Sequence, residues 1–410
     1  MKQILYLLMA SFVWLFSSCI EEYTIPKSVL INSKQVVIQG RILAGEESVF
    51  YVSYTKDFGD RSQLQETILN ATVTIIGQNG YESKKAEFDM ENDRYFIDTK
   101  DLEANTLYAV KVEAEGETYQ SEYLSILQTP EIEEITYTES PDGISLYVST
   151  RGDNDASRYY MWSYEEDWEF TAPIDFMSML ELENIFFSKK HYKLIEEGKQ
   201  DNPYYRCWNH KKSHNILLGS TDKLKENIIQ DLKLFTIPVD DVRITWVYSL
   251  LLKQWSLSRE AYEYYTNLQR LTEESSGIFQ PMPYEIKGNV HCVSDSTQKV
   301  QGYVLSSNVV TKRTFVYASD FIQCQPTYTG FCSETILDPD SPDDFNALAE
   351  LRAMLDNGYI LYVPYGVKFI DIHNFEILGG EIIYAPHCLD CRTVEGSTNK
   401  RPDFWPVIYE

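Results

Sequence analysis

The stretch Arg158-Tyr-Tyr-Met-Trp-Ser-Tyr-Glu-Glu-Asp-Trp-Glu-Phe170 decides how this chain is read. Successive side chains of an extended chain point to opposite faces. Tyr160, Trp162, Tyr164, Glu166, Trp168 and Phe170 therefore share one face, and Met161, Ser163, Glu165, Asp167 and Glu169 share the other. An aromatic face of this length predicts a long strand in a β-rich domain. Ile132 to Thr138 and Ile144 to Thr150 read as strands before it. Val242 to Trp255 reads as another long strand after it, with Ile244, Trp246, Tyr248, Leu250 and Leu252 on one side. The next segment changes period. Ser258 suits a helix N-cap, Glu260 suits the first turn, and Ala261, Tyr265, Leu268 and Leu271 fall on one helical face, so a helix is expected near 258–275. Further helices are expected near 174–200, where Lys189, Lys190, Lys193, Glu196, Glu197 and Lys199 suggest a charged surface insertion, and near 344–355.

Towards the N-terminus the pattern is short strands separated by turn residues. Val36 to Arg41, Ser48 to Tyr54, Ala71 to Ile76, Asp93 to Ile97, Leu107 to Val112 and Thr118 to Tyr123 predict a β-sandwich over 36–128. Their order resembles the transthyretin-like modules of carboxypeptidase regulatory domains, which implies a spacer or binder. Thr129-Pro130 marks the boundary to a larger β-rich domain over 129–410, ending in a cysteine-containing C-terminal tail. The expected fold class is mainly β with helical insertions, an N-terminal transthyretin- or Ig-like sandwich preceding the larger domain.

The first residues carry a different message. Lys2, an apolar run from Ile4 to Phe16, and Ser17-Ser18 before Cys19 have the layout of a signal peptide over 1–18. A cysteine at that place is the layout of a bacterial lipoprotein signal, in which the peptide is cut before Cys19 and the thiol takes diacylglycerol. Phe16 occupies the slot where leucine is usual, with Leu15 one place earlier. An ordinary signal peptide is the alternative. Acyl chains contribute about 0.8 kcal/mol per buried CH₂, so such an anchor is effectively permanent. Residues 19–35 would then form a lipidated tether. Glu21 and Glu22, just after the cysteine, resemble an export signal to the outer leaflet of the outer membrane; a solvated charged tether is the plainer reading.

Composition narrows the class. The chain has 410 residues, 62 Asp and Glu against 36 Lys and Arg, and a formal charge of −26. That balance argues against nucleic acid as a partner, because phosphate binding needs a basic surface. Six further cysteines, Cys207, Cys292, Cys324, Cys332, Cys388 and Cys391, favour disulfides in an oxidising compartment, with pairing open. Cys388-Leu-Asp-Cys391 also has the spacing of a redox or zinc motif, but Cys324 and Cys332 are too far apart for a good second zinc pair.

Of the chemistry-bearing patterns, Glu165, Asp167 and Glu169 form the sharpest. Alternate strand residues stand about 6.6–6.8 Å apart, within the range of an inverting glycosidase pair. Three like charges in a row are more simply a solvated sheet face, with a cation or ligand site as the alternative. Asp338, Asp340, Asp343 and Asp344 could attract calcium but lack the EF-hand glycine and terminal glutamate, so a helix-entry loop is favoured. Cys207, His210 and His214 offer metal ligands at helical spacing; His291 and His387 read as structural. Arg151-Gly152-Asp153 reads as a turn. Ser296, within Asp295-Ser296-Thr297, fits a short O-glycosylation signal. Neither Gly-x-Ser-x-Gly nor a phosphate-cradling glycine loop is present, so no catalytic residue, metal or cofactor is assigned and an enzyme is not expected.

Tyr204-Tyr-Arg-Cys-Trp208, the block Tyr248 to Glu263, Gly288-Asn-Val-His-Cys-Val293, Gly302-Tyr303 and the tail from Cys388 to Trp405 together resemble the Bacteroidota lipoproteins grouped as domain of unknown function 4249. The resemblance implies an outer-membrane lipoprotein facing outward and partnered with a TonB-dependent transporter, as an accessory or for ligand capture. It supplies no catalytic residues, and the ligand stays open. An adhesion or structural surface protein is the alternative, and an envelope hydrolase using the acidic face a third.

Overall fold

The computed structural model describes residues 34–55, 66–153, 156–174, 178–186, 189–197, 204–213, 215–273, 286–321, 332, 335–337, 353, 356–357, 360–362, 367–369, 375–377 and 381–406. Within them the protein is mainly β, and its two well-described cores are sandwiches.

The first sandwich uses β1 (Val36–Leu43), β2 (Glu47–Tyr54), β3 (Thr72–Gly77), β4 (Glu87–Asp89), β5 (Arg94–Asp98), β6 (Leu107–Ala114), β7 (Glu117–Ser121) and β8 (Leu124–Ser125). One sheet runs β1-β2-β5-β4; the other has β7-β6-β3, with β8 also on β6. Strict alternation on β1 sends Val36, Ile38 and Ile42 inward, to meet Val73, Ile75, Val110 and Val112 of the facing sheet.

The larger region follows with β9 (Ile132–Ser140), β10 (Gly143–Arg151), β11 (Tyr159–Thr171), β12 (Ser178–Phe186), β13 (Lys189–Glu197), β14 (Arg206–Lys212), β15 (Leu217–Ser220), β16 (Ile228–Pro238), β17 (Val247–Leu257) and the helix α1 (Arg259–Glu273). β16-β10-β9 form one layer. The other runs β14-β11-β17 and ends on β21 (Val309–Tyr317), with β15 also on β11. Tyr160, Trp162 and Tyr164 of β11 and Tyr248, Leu250 and Leu252 of β17 pack against Ile144, Leu146 and Val148 of β10. The buried Trp162 indole donates to Gln254 Oε1 at 2.8 Å, and Gln254 Nε2 donates to the Pro130 carbonyl at 2.7 Å.

Three short strands change the expected boundary. β18 (Val290–Cys292), β19 (Val300–Gln301) and β20 (Val304–Ser307) return to the first sandwich. β18 joins β7, whereas β19 and β20 lie parallel to β1, Gly40 to Leu43 facing Val304 to Ser307. Val290, Cys292 and Val304 belong to that first core. The sandwich expected over 36–128 is thus completed by residues 290–307. Parallel pairing needs a long crossover, and here the crossover is the body of the second sandwich.

The chain therefore crosses between the sandwiches twice, and the crossings bond each other. Asn308 Oδ1 accepts from Thr129 N at 2.7 Å, Thr129 Oγ1 donates to Asn308 O at 2.8 Å, and Asn308 N donates to Leu127 O at 3.1 Å. α1 seals the seam, capped by Ser258 Oγ, which accepts from Ala261 N. Its Ala261 and Tyr264 pack with Leu43 of β1, Tyr303 and Leu305 of the return segment, and Met161, Trp255 and Leu257 of the second sandwich.

One expectation is corrected here. The described residues of 174–200 hold no long helix: β12 and β13 pair antiparallel, with Leu180 opposite Leu194 and Glu181 opposite Lys193. In the sequence Leu180 and Leu182 recur at the two-residue strand period. The helix expected near 344–355 lies outside the described residues, apart from Ala353. β22 (Thr335–Leu337), β23 (Ile360–Tyr362) and β26 (Glu381–Tyr384) extend the hairpin sheet in the order β13-β12-β23-β26-β22, while β24 (Val367–Phe369) pairs with β25 (Phe375–Ile377). The short helix α2 (Pro386–Leu389) opens the tail. Among the described residues no helix is long and apolar enough to cross a membrane.

The return segment has a built-in requirement. Gly302 has φ +110°, and a Cβ there would lie 2.0 Å from the Ile38 carbonyl oxygen. Gly302→Ala should cost about 3 kcal/mol, the sum of backbone strain and a clash with rigid main chain. Gly45→Ala, at φ +86° with nothing within 4 Å, should cost only about 1 kcal/mol. Denaturant midpoints of the two variants check the ordering.

Candidate functional site

The face of β11 opposite the aromatic core holds Glu165, Asp167 and Glu169, and its neighbours supply cations in register. β14 sets Trp208 opposite Glu169, His210 opposite Asp167 and Lys212 opposite Glu165, with Arg206 one step on; β17 and β21 bring Lys253 and Arg313 to the same face. Lys253 Nζ donates to Glu165 at 2.7 Å. Asp167 is bound from both sides, by His210 Nδ1 at 2.7 Å and by Arg313, 2.8 Å away. Glu169 receives the Arg206 guanidinium and, at 2.9 Å, the Trp405 indole N–H. The expected solvated acidic face is thus a sequestered ion-pair ladder, with Asp167 and Glu169 only 7% and 2% exposed. A carboxylate this deep requires a partner. The place a metal cation would take is filled by basic side chains, and neither a free general acid nor a free base is offered here.

Glu166 points the other way, into the core, where Arg243 at 2.5 Å and the Tyr248 hydroxyl at 2.9 Å donate to it. Burial and the Glu166 charge push the Tyr248 hydroxyl well above its ordinary value. Burial disfavours the Glu165 and Asp241 charges, but Lys253 and Arg243 outweigh it, holding the two carboxyls below 4.5 and 3.8.

The cysteines secure the tail. Cys207 on β14 is bonded to Cys391, and Cys332 to Cys388, so the Cys388-Leu-Asp-Cys391 pair makes two separate bridges. Beyond Cys391 the chain pairs with the free edge of β14: Trp208 N donates to Thr398 O at 2.8 Å and Thr398 N to Trp208 O at 2.9 Å. It then crosses to the ion-pair face. There Phe404 lies 3.6 Å from the Arg313 guanidinium, and Trp405 meets Phe315 edge to face at 5.8 Å. The tail is a strap around the edge of the second sandwich.

Other expected sites fall as follows. Cys292 is a buried free thiol in the first core. Cys207 and His210 lie on a strand, so they face opposite sides and cannot share a metal; His214 lies outside the described residues. Atoms of Cys332, His387 and Cys388 lie within 4.8 Å of one another, but the two sulfurs are joined and are not thiolate ligands. Ser296 is exposed in the turn after β18, while the neighbouring Thr297 hydroxyl is engaged by Asp295 at 2.7 Å. Cys19, Glu21, Glu22, Cys324 and the Asp338–Asp344 loop lie outside the described residues. The sequence reading missed the cations. Arg206, His210 and Lys212 alternate on their strand as the acids do on theirs, and that shared period was the available signal.

These features define a class: a two-sandwich β protein whose first sandwich is closed by a returning segment and whose second is strapped by a disulfide-anchored tail. The chain matches the family described as domain of unknown function (DUF4249) over residues 20–313, and it belongs to that family. Comparison with curated proteins finds no match. Among solved structures it is similar to the two fibronectin type-III domain segment from chicken tenascin, at 9% identity and TM-score 0.16, covering 55% of this chain and 91% of that one. It is also similar to a structure described as the complete manganese lipoxygenase of Gaeumannomyces graminis and partial zonadhesin of Komagataella pastoris, at 9% identity and TM-score 0.13, covering 55% and 90%. Both likenesses are too slight to bear on the fold, which rests on the strand pairing above.

Two outcomes follow from the ladder and the strap. Glu169→Gln should destabilise by about 2 kcal/mol, because a neutral amide cannot serve both the Arg206 charge and the indole N–H. Combined with Trp405→Phe the losses should be less than additive, since both variants break one contact; a double-mutant cycle by urea unfolding reads this. Unfolding releases Glu165 and Asp241 to their ordinary values, so the unfolded chain binds more protons in acid. Their contribution is full above those ordinary values and is lost as pH falls through the lower folded-state values. Lys253→Met should move the acid-unfolding midpoint to higher pH.

Proposed function

We propose that the protein is an outer-membrane lipoprotein, anchored through Cys19 and facing outward, which serves a TonB-dependent transporter as an accessory or ligand-capture subunit. The observation that carries this reading is the Ser17-Ser18-Cys19 layout behind an apolar run. Family membership over residues 20–313 starts immediately after that cysteine. The two disulfides suit an oxidising compartment. A tether over 19–35 would reach at most about 50–60 Å, keeping both sandwiches beside the barrel. Association would then depend on local concentration more than on intrinsic affinity.

Gentle-detergent pull-down of the native chain, compared with Cys19→Ala, tests the reading. The native chain should incorporate an alkyne-tagged fatty acid and retain a large β-barrel identified by mass spectrometry. Cys19→Ala should lose the label and at least about tenfold of the barrel signal. A labelled chain recovered alone would instead favour an adhesion or structural role at the surface.

A further inference from the structure

The helix α1 does not fill the seam completely. A narrow pocket remains there, bounded by Ser125 of β8, Leu127 of the outgoing crossing, Ser256 near the end of β17, Ser258 at the cap of α1, and Tyr303 and Ser306 of the returning segment. It offers about 50 Å³ to the centres of water-sized molecules, whereas about 10–15 Å³ suffices for one water. Ser125 is exposed, but Ser256, Tyr303 and Ser306 are only 2%, 5% and 6% exposed. The pocket thus leads from the surface into the seam, and it is far smaller than the roughly 300–1,000 Å³ that drug-sized ligands occupy.

One hydroxyl of this pocket is unanswered. Ser306 Oγ is buried and has no hydrogen-bond partner among the described residues. Two neighbours are engaged: Ser256 Oγ donates to Gln128 O at 3.0 Å, and Ser258 Oγ accepts from Ala261 N at 3.1 Å. Ser306 has no freedom to withdraw, because its main chain is held opposite Ile42 of β1 and its carbonyl accepts from Leu127 N at 3.2 Å. A hydroxyl fixed in a buried place without a bond is destabilising. Charge narrows what could answer it. A helix N-terminus alone favours an anion, but Glu260 occupies the first turn of α1. Burial pushes the Tyr303 hydroxyl up to about 12 against a hydrogen bond with Ser258, and the charges of Glu260 and Glu122 add to the rise. The surroundings are negative, so the pocket suits a small neutral molecule that both donates and accepts.

We propose that the seam pocket is a hydration site, in which a small cluster of ordered water is held by Ser306 Oγ and bonds onward to the hydroxyls of Ser258 and Tyr303. Buried water of this kind joins polar groups that no side chain reaches. Here it links the returning segment to the cap of α1, so the joint between the sandwiches is braced by solvent as well as by the two crossings. The proposal goes beyond the transporter reading and does not need it, because the site lies within this chain.

A crystal structure of the full chain, at a resolution that shows its other buried waters, tests this together with a bromide soak. Water should lie within about 3.2 Å of Ser306 Oγ, and bromide should leave the pocket empty. Urea unfolding supplies a second reading. Ser306→Ala removes the anchor of the cluster and should lower the folding equilibrium constant by about fivefold. Ser307 is the contrast: its Oγ is also buried without a partner, but it does not line the pocket. Ser307→Ala removes an unmet hydroxyl and should raise the urea midpoint. A dry pocket, bromide in it, or a Ser306→Ala midpoint at or above that of the native chain would overturn the proposal. Should Ser306→Ala fail to fold, the crystal structure decides. Neither measurement involves the transporter, so failure here leaves the pull-down untouched, and the converse holds.

Discussion

The structure turns on the parallel pairing of β20 with β1. Four residues, Val304 to Ser307, lie against Gly40 to Leu43 across more than half the chain, and other arrangements follow from that contact. Because β20 belongs to the first sandwich and β21 to the second with only Asn308 between them, the pairing fixes how the sandwiches meet. Because the outgoing crossing at Leu127 to Thr129 bonds the returning one at Asn308, the seam is braced by two chains. Linkers that bond each other and share a helix restrict the hinge motion otherwise expected between domains.

What the chain does with charge is the second organising choice. Net −26 creates self-repulsion, and the second sandwich concentrates carboxylates on one strand. It meets this by register: acids on β11, bases on β14, β17 and β21, all at the two-residue period of the pleat. Pairs of this kind add specificity more than net stability, because desolvation offsets much of the attraction. Here they orient the tail, since Trp405 reaches its place through Glu169 and Phe404 through Arg313.

Much of this architecture was legible in the residues. Alternation along Tyr160 to Phe170 gave the central strand and its inward face, and Ser258 with the Ala261, Tyr265 and Leu268 spacing gave the helix. The segment pairing β12 with β13 was misread because its run of lysines and glutamates has the composition of a solvated helix, whereas the backbone pairs as two strands. The return of 290–307 to the first sandwich had no local signature, since a short strand carries no mark of which distant edge it joins. The acidic face was read as solvated because a single strand shows its own charges and not those set beside it. Set the same three carboxylates beside Arg206, His210, Lys253 and Arg313, and they become a structural element. The buried Trp255 indole N–H without a partner was beyond sequence altogether, for an absence of partners exists only in three dimensions.

The returning segment also sets an order of events. Domains generally fold as units, the N-terminal one first as the chain emerges. That order is denied here, since the N-terminal sandwich lacks β18, β19 and β20 until residues 290–307 have been made, and the edge of β14 stays open until Thr398 arrives. An N-terminal half that emerges early must wait, with unpaired strand edges exposed to other chains. Such a protein places its heaviest demand for chaperoning on the half that is made first.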